Sequence, residues 1–197
     1  MALGDPYAIL PDLKSRMDID DDTDDTRLTE SLNSASREIE SWCRRQFNKT
    51  TDASAREFRP QNSRWAYVDD FHTITDLVIA TGDSYSTVWA AADYQLEPLN
   101  GIVSGQTGWP YNRIVGVNRT FSHCNRPTLQ VTAQWGWTAV PAPVKEACLI
   151  IAAESFKLGD APFGVAGFGE FGPVRVRMNT RAQTLLAPYR RNPVLVG

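Results

Sequence analysis

Between Asp24 and Phe47 the apolar residues Leu28, Leu32, Ala35, Ile39 and Trp42 recur at steps of four, three, four and three. That spacing lines one face of an α-helix. Thr23, Asp24 and Asp25 offer N-cap side chains and put negative charge where the helix dipole favours it, while Arg44 and Arg45 stand in the last turn, where cations are favoured. At about 1.5 Å per residue the run is roughly 35 Å long, enough to cross a small domain. The pattern predicts a structural spine on which other elements must pack.

The best partner for that stripe is PVKEACLIIAAESFKL, residues 143–158, with Pro143 at a first helical position and Val144, Ala147, Cys148, Ile151, Ala152 and Phe156 forming a wide apolar face. A short helix opened by Pro11 is expected over 10–19, and a last one over 179–188 with Leu185 and Leu186 turned inward. Between 56 and 140 the pattern changes to alternation broken by Gly, Asn, Asp and Pro. Six strands are expected there, over 64–68, 75–80, 86–90, 93–97, 112–117 and 128–135. The chain is therefore read as α+β, a helical core in which a long N-terminal helix packs on a C-terminal helix, with an inserted antiparallel β module and an extended C-terminal arm. The expected parts are 1–55 (N-terminal helices), 56–140 (β module), 141–158 (core helix), 159–178 (glycine-rich loop and arm) and 179–197 (last helix and basic tail).

With 197 residues, 42 % of them hydrophobic, the chain fits one domain or one domain carrying an insertion. No apolar run reaches bilayer-spanning length, and MALGDPYAIL lacks the basic start and apolar stretch of a signal peptide, so a cytoplasmic product with no membrane partner is expected. Cys43, Cys124 and Cys148 are odd in number and far apart, which suits reduced thiols. The net charge of −3 hides a separation. Residues 1–40 hold eleven acids against four bases, whereas residues 173–197 hold five arginines and no acid. An acidic head and a basic tail suit contact between one end of a molecule and a differently charged surface on another.

Three stretches invite chemistry and do not support it. GFGEFG, residues 167–172, has the spacing of a dinucleotide-binding turn, but no strand precedes it and Pro173 with a strand-like VRVRM follows, so the helix N-terminus that would hold phosphate is missing. In DIDDDTDD, residues 18–25, Asp18, Asp20 and Asp22 fall at the first, third and fifth positions of a calcium loop, yet Thr23 replaces its glycine and Thr29 its final glutamate. His72 and His123 are the only histidines; neither has ligand spacing with another Cys or His, and no G-x-S-x-G is present. The chain is read as a non-enzyme with no cofactor, metal site or catalytic residue. A nucleic-acid-binding role stands as the alternative, in a cytoplasmic protein using the arginine tail, although a pI near 5.4 is unlike that of a DNA-binding domain.

Taken in order, YAILPDLKSRMDIDDDTDDTRLTESLNSASREIESWCRRQF (7–47), WGWTAVPAPVKEACLIIAAESFK (135–157), GPVRVR and LLAPYRR make the chain resemble the head-tail connector (adaptor) proteins of tailed bacteriophages, particularly those of actinobacterial phages. The resemblance implies a structural virion protein, made in the host cytoplasm and located in the virion neck. It would form a ring, typically of twelve copies, beneath the portal protein, extending the DNA channel and docking the tail terminator or a stopper protein. Double-stranded DNA would pass through without specific binding. Cyclic rings join unlike faces of neighbours, which gives the acidic head and basic tail a reason to exist. On this reading Phe163, Phe168, Phe171, Arg175, Arg177, Arg181, Arg190 and Arg191 form a portal or neighbour-subunit interface. Asp18, Asp20, Asp21, Asp22, Asp24 and Asp25 are candidates for the lumen or an inter-subunit contact, since acids facing a channel would keep phosphate from binding.

Overall fold

A computed structural model describes residues 4–122, 124–159 and 179–191. The chain divides into two compact units, a helical one built from residues 3–45 and 140–191 and a β unit of residues 46–139. Four helices make the first: α1 (Leu10–Met17), α2 (Asp25–Cys43), α3 (Ala142–Gly159) and α4 (Thr180–Leu186). α3 packs along α2, and α4 packs on α3. Leu28, Leu32, Ala35 and Ile39 of the spine face Val144, Ala147, Cys148 and Ala152 in a core from which solvent is excluded. Each fully buried aliphatic side chain of this kind contributes about 1.5–3 kcal/mol.

α2 is shorter than its pattern predicts. It stops at Cys43 because Arg44 takes a left-handed conformation (φ +53°), so the stripe ends on the fully buried Cys43, one residue beyond the expected Trp42. Trp42 is half-buried, with the Arg190 guanidinium 5.2 Å from its ring centroid. Ser36 also lies on the buried face. Its hydroxyl donates to Leu32 O (2.7 Å) and accepts from Tyr7 N–H (2.9 Å), so a polar group sits in the core with its bonding satisfied. On α3 the buried set is wider than one stripe and takes in Leu149 and Ile150, while Ile151 is only half-buried. On α4, Leu186 is buried and Leu185 half-buried.

The β unit holds two antiparallel sheets. One has strand order β1 (Ser54–Phe58), β7 (Leu129–Ala133), β3 (Val78–Thr81), β4 (Thr87–Val88); the other has β2 (Trp65–Phe71), β6 (Tyr111–Gly116), β5 (Tyr94–Glu97). Arg56 pairs with Val131 and Ile79 with Val131, which puts Leu129, Val131, Ala133 and Ile79 on one face. That face joins Ala66, Val68, Ile114, Trp89, Phe121 and Trp135 in a single core. The sheets meet at a corner where Phe71 bridges Trp135 and His72 N–H donates to Gln134 O at 3.1 Å.

β1 has no counterpart among the expected strands. Its sequence, SAREF, reads as polar, but Arg56 lies over the Trp135 ring (4.5 Å) and pairs with Asp69 (2.7 Å), so its stem covers the core while its charge is satisfied. The β unit accordingly starts at Gln46 rather than near residue 56. β4 is reduced to two residues because Trp89, expected within it, turns into the core with its N–H on Ile79 O (2.9 Å).

Candidate functional site

The acidic run is the turn between α1 and α2. Asp18 ends α1 in a left-handed conformation (φ +55°), and its N–H caps Lys14 O. That reversal brings the following acids back over the last turn of α1, where Lys14 Nζ lies 2.7 Å from Asp22 Oδ1 and 2.8 Å from Asp25 Oδ1. The hydrogen bonds to Asp22 and then Asp25 push the ammonium up to about 12. Thr23 N–H donates to Asp21 Oδ1 (2.9 Å), which holds that carboxyl below its ordinary range. Asp24 pairs with Arg27 at 3.0 Å. Asp18 and Asp20 are exposed and have no ion-pair partner among the described residues. Asp18, Asp20, Asp22 and Asp25, with Lys14 and Ile19, line a groove of about 560 Å³.

The calcium-like spacing thus encloses a lysine. Among the described residues no group of three or more His, Cys, Asp or Glu is placed to hold a metal ion. Lys14 was not signalled by the sequence reading, because the left-handed turn at Asp18 that brings it to Asp22 and Asp25 leaves no periodic mark.

The basic end is partly structural. Asn179 caps α4, its Oδ1 accepting from Arg181 N–H (2.9 Å) and Ala182 N–H (3.3 Å), and its amide donates to Glu154 of α3. The Arg181 side chain is exposed in the first turn of α4, the end of a helix that disfavours a cation. Arg190 stacks on Trp42, and Arg191 N–H donates to Cys43 O (2.9 Å), satisfying one of the last carbonyls of α2. Phe163, Phe168, Phe171, Arg175 and Arg177, together with GFGEFG, lie outside the described residues. The sequence places Asn179 at the start of the last helix, and its role there is the N-cap, for which an Asn directly before a helical run is the signal.

In the β unit Asp69 and Asp70 take different partners. Asp69 pairs with Arg56, while the buried Asp70 accepts from Trp137 Nε1 (3.0 Å). His72 is half-buried, and burial followed by the Lys49 charge holds its imidazole below the usual range. All three cysteines are free; burial raises the Cys43 thiol to about 12 and pushes Cys148 upward.

Residues 7–79 match the family model of phage gp6-like head-tail connector proteins. This segment is similar to the phage head-tail connector family. The matched segment contains α1, α2, β1 and β2 and ends within β3, so it runs from the helical unit well into the β unit. The family is one of structural proteins and not of enzymes.

Solved structures similar to this chain share its α+β fold at low identity. They include a chain from the neck of an empty GTA particle computed with C6 symmetry (TM-score 0.56, 16 % identity, covering 97 % of this chain and 93 % of that one). A chain from the neck of a native GTA particle computed with C12 symmetry gives 0.55 and 17 %, with 95 % and 92 % covered. A chain from the virion of a native gene transfer agent particle gives 0.59 and 14 %, with 100 % and 95 % covered. No curated protein matches this chain.

Proposed function

We propose that the protein is a head-to-tail adaptor in a virion neck, a ring of twelve copies beneath the portal that extends the DNA channel and docks the tail terminator or a stopper. The observation that carries this reading is the conjunction of a connector-family match over residues 7–79 with a fold shared, over nearly the whole chain, with components of gene-transfer-agent necks. A twelvefold ring agrees with the C12 symmetry in which one of those necks was computed. Cyclic assembly joins unlike surfaces, and the chain supplies unlike ends, acidic over residues 1–40 and basic after 172.

The exposed carboxylates of the α1–α2 turn suit a channel wall. Asp18 and Asp20 repel phosphate, and Lys14 is held by two carboxylates, so it offers DNA little free cation. Arg181, with Arg175 and Arg177, belongs to the portal or neighbour-subunit contact. The experiment is to mix the purified protein with portal and image the complex by electron microscopy. A ring stacked coaxially on portal is expected; a protein that stays monomeric with portal present, or that binds duplex DNA steeply at low salt, would sink the reading in favour of a nucleic-acid-binding role.

A further inference from the structure

The two edges of the three-stranded sheet are finished differently. Gly116 N–H donates to Arg64 O (2.8 Å), which with the register makes Ala66 and Ile114 a hydrogen-bonded pair and turns the Trp65 and Tyr67 amides away from the sheet. Both find acceptors in the loop before β2: Trp65 N–H on Asn62 Oδ1 (3.0 Å) and Tyr67 N–H on Gln61 Oε1 (2.6 Å). At the other edge Val117 N–H donates to Asp93 O (2.9 Å), so Gln95 with Val115 and Glu97 with Arg113 are the bonded pairs, and the Tyr94 and Leu96 amides point outward. Neither has an acceptor among the described residues.

Sheet edges are ordinarily blunted by lysine, a bulge, brevity or a cover. β5, Tyr-Gln-Leu-Glu, has no lysine and an unbroken register. Tyr94 and Leu96 are half-buried on the core side, Gln95 and Glu97 alternate on the outer side, and the exposed Leu99 (56 %) and Ile102 (44 %) follow directly. The other sheet also leaves outward amides, those of Ala55 and Glu57 in β1, but there Arg56 occupies the core-side flank and β2 lies alongside.

We propose that residues 174–178 of a second copy pair with β5 as an added strand. The proposal rests on the ring reading above and names the subunit contact. Val174, Val176 and Met178 alternate with Arg175 and Arg177. Laid on β5, the apolar set continues the flank of Tyr94 and Leu96, and the arginines stand beside Gln95 and Glu97, whose carboxylate is already paired with Arg113 of β6. On β1 the same strand would set its valines beside Arg56. Asn179 is tied to Glu154 of α3, and nineteen residues, 160–178, separate it from the end of that helix, a length that permits a reach of roughly 30 Å out and back at full extension. Strand 174–178 and edge β5 are unlike surfaces, and such a contact repeats head to tail until a ring closes.

The test uses the full chain carrying one proline at a time. Leu96→Pro removes the outward amide and leaves the β6 hydrogen bonds in place, and Leu96→Ala controls for the core-side packing that is lost with the leucine. Val176→Pro disables the proposed strand with a change outside residues 46–139, and Ala55→Pro removes an outward amide of β1 as a control. By native mass spectrometry, wild type and A55P should form rings, L96P and V176P should not, and a mixture of L96P with V176P should give heterodimers through the one intact junction. In the wild-type ring the Leu96 amide should exchange at least about tenfold more slowly than in V176P. Rings from L96P at the wild-type level, or loss of rings in A55P alone, overturn the inference and leave the ring reading standing. Rings from V176P that fail only to join portal assign the strand to portal and overturn it as well. A wild type that stays monomeric with and without portal overturns both.

Discussion

Lys14 Nζ lies 2.8 Å from Asp25 Oδ1, which ties the last turn of α1 to the first turn of α2 across the acidic loop. With Asp22 as second partner, the lysine stays charged to about pH 12. A raised value in the folded state stabilises it fully below the unfolded value of 10.5, and the contribution disappears as pH rises towards 12. Lys14→Met should therefore lower the melting temperature at pH 7 and low salt. The difference from wild type should shrink in 1 M salt, where the screening length is about 3 Å. An unchanged melting temperature at low salt would show that the loop is held by its backbone alone.

Gly136 separates two tryptophans that do different work. Trp135 is buried in the β core with Nε1 on Ser54 O (2.9 Å), whereas Trp137 packs on Phe47 and Trp109 and donates to Asp70. The glycine between them has φ +97°, donates its N–H to Asp70 O (2.6 Å), and leaves no room for a Cβ against the Asn48 carbonyl. Gly136→Ala should cost about 2 kcal/mol or more, combining a disfavoured backbone with a collision against main chain. Chemical denaturation of the two proteins measures it. A loss below about 0.5 kcal/mol would mean that the Trp135–Trp137 crossing relaxes freely.

What the sequence revealed follows from periodicity. α2 and α3 were legible because each buries a face over many turns, and β2 and β7 because their alternation separates a buried face from a more exposed one. β1 was not, since its core contacts come from the stem of Arg56 under a satisfied charge, and composition hides that. The end of α2 was misplaced for a related reason: the pattern continues past Cys43, but Arg44 adopts φ +53° and redirects the chain. The acidic run was visible as charge, while its partner Lys14 was not, because a left-handed residue at position 18 makes the approach.

His72 sets a pH dependence for the β unit. Its Nδ1 is buried without a partner among the described residues, and burial lowers its protonation range below 6.5. The unfolded chain then takes up a proton at higher pH than the folded one does. Stability should be flat with respect to this residue above pH 6.5, fall as pH drops below that value, and level off once the folded imidazole is itself protonated. His72→Gln should remove that component between pH 7.5 and 5.5 and leave the carboxylate-linked losses near pH 4. Equal slopes for the two proteins in thermal melts across that window would exclude the assignment.

Deleting residues 160–177 separates folding from assembly. α3 ends at Gly159, and α4 retains its own cap in Asn179, whose amide bonds to Glu154 and whose carbonyl oxygen receives two amides. Among the described residues, the core is built from α1, α2, α3, α4, the two sheets and the segments beside them. A short Gly-Ser bridge from 159 to 178 should therefore leave circular dichroism and melting temperature close to wild type, with a loss of about 1 kcal/mol at most if the α4 cap loosens. The same protein should fail to form rings or to join portal, because the removed stretch holds Val174, Arg175, Val176 and Arg177, the residues proposed to make the subunit contact. Co-sedimentation with portal and native mass spectrometry read both properties on one sample. Wild-type incorporation by the deleted chain would show that the contacts of the ring are made by the helical and β units without this segment.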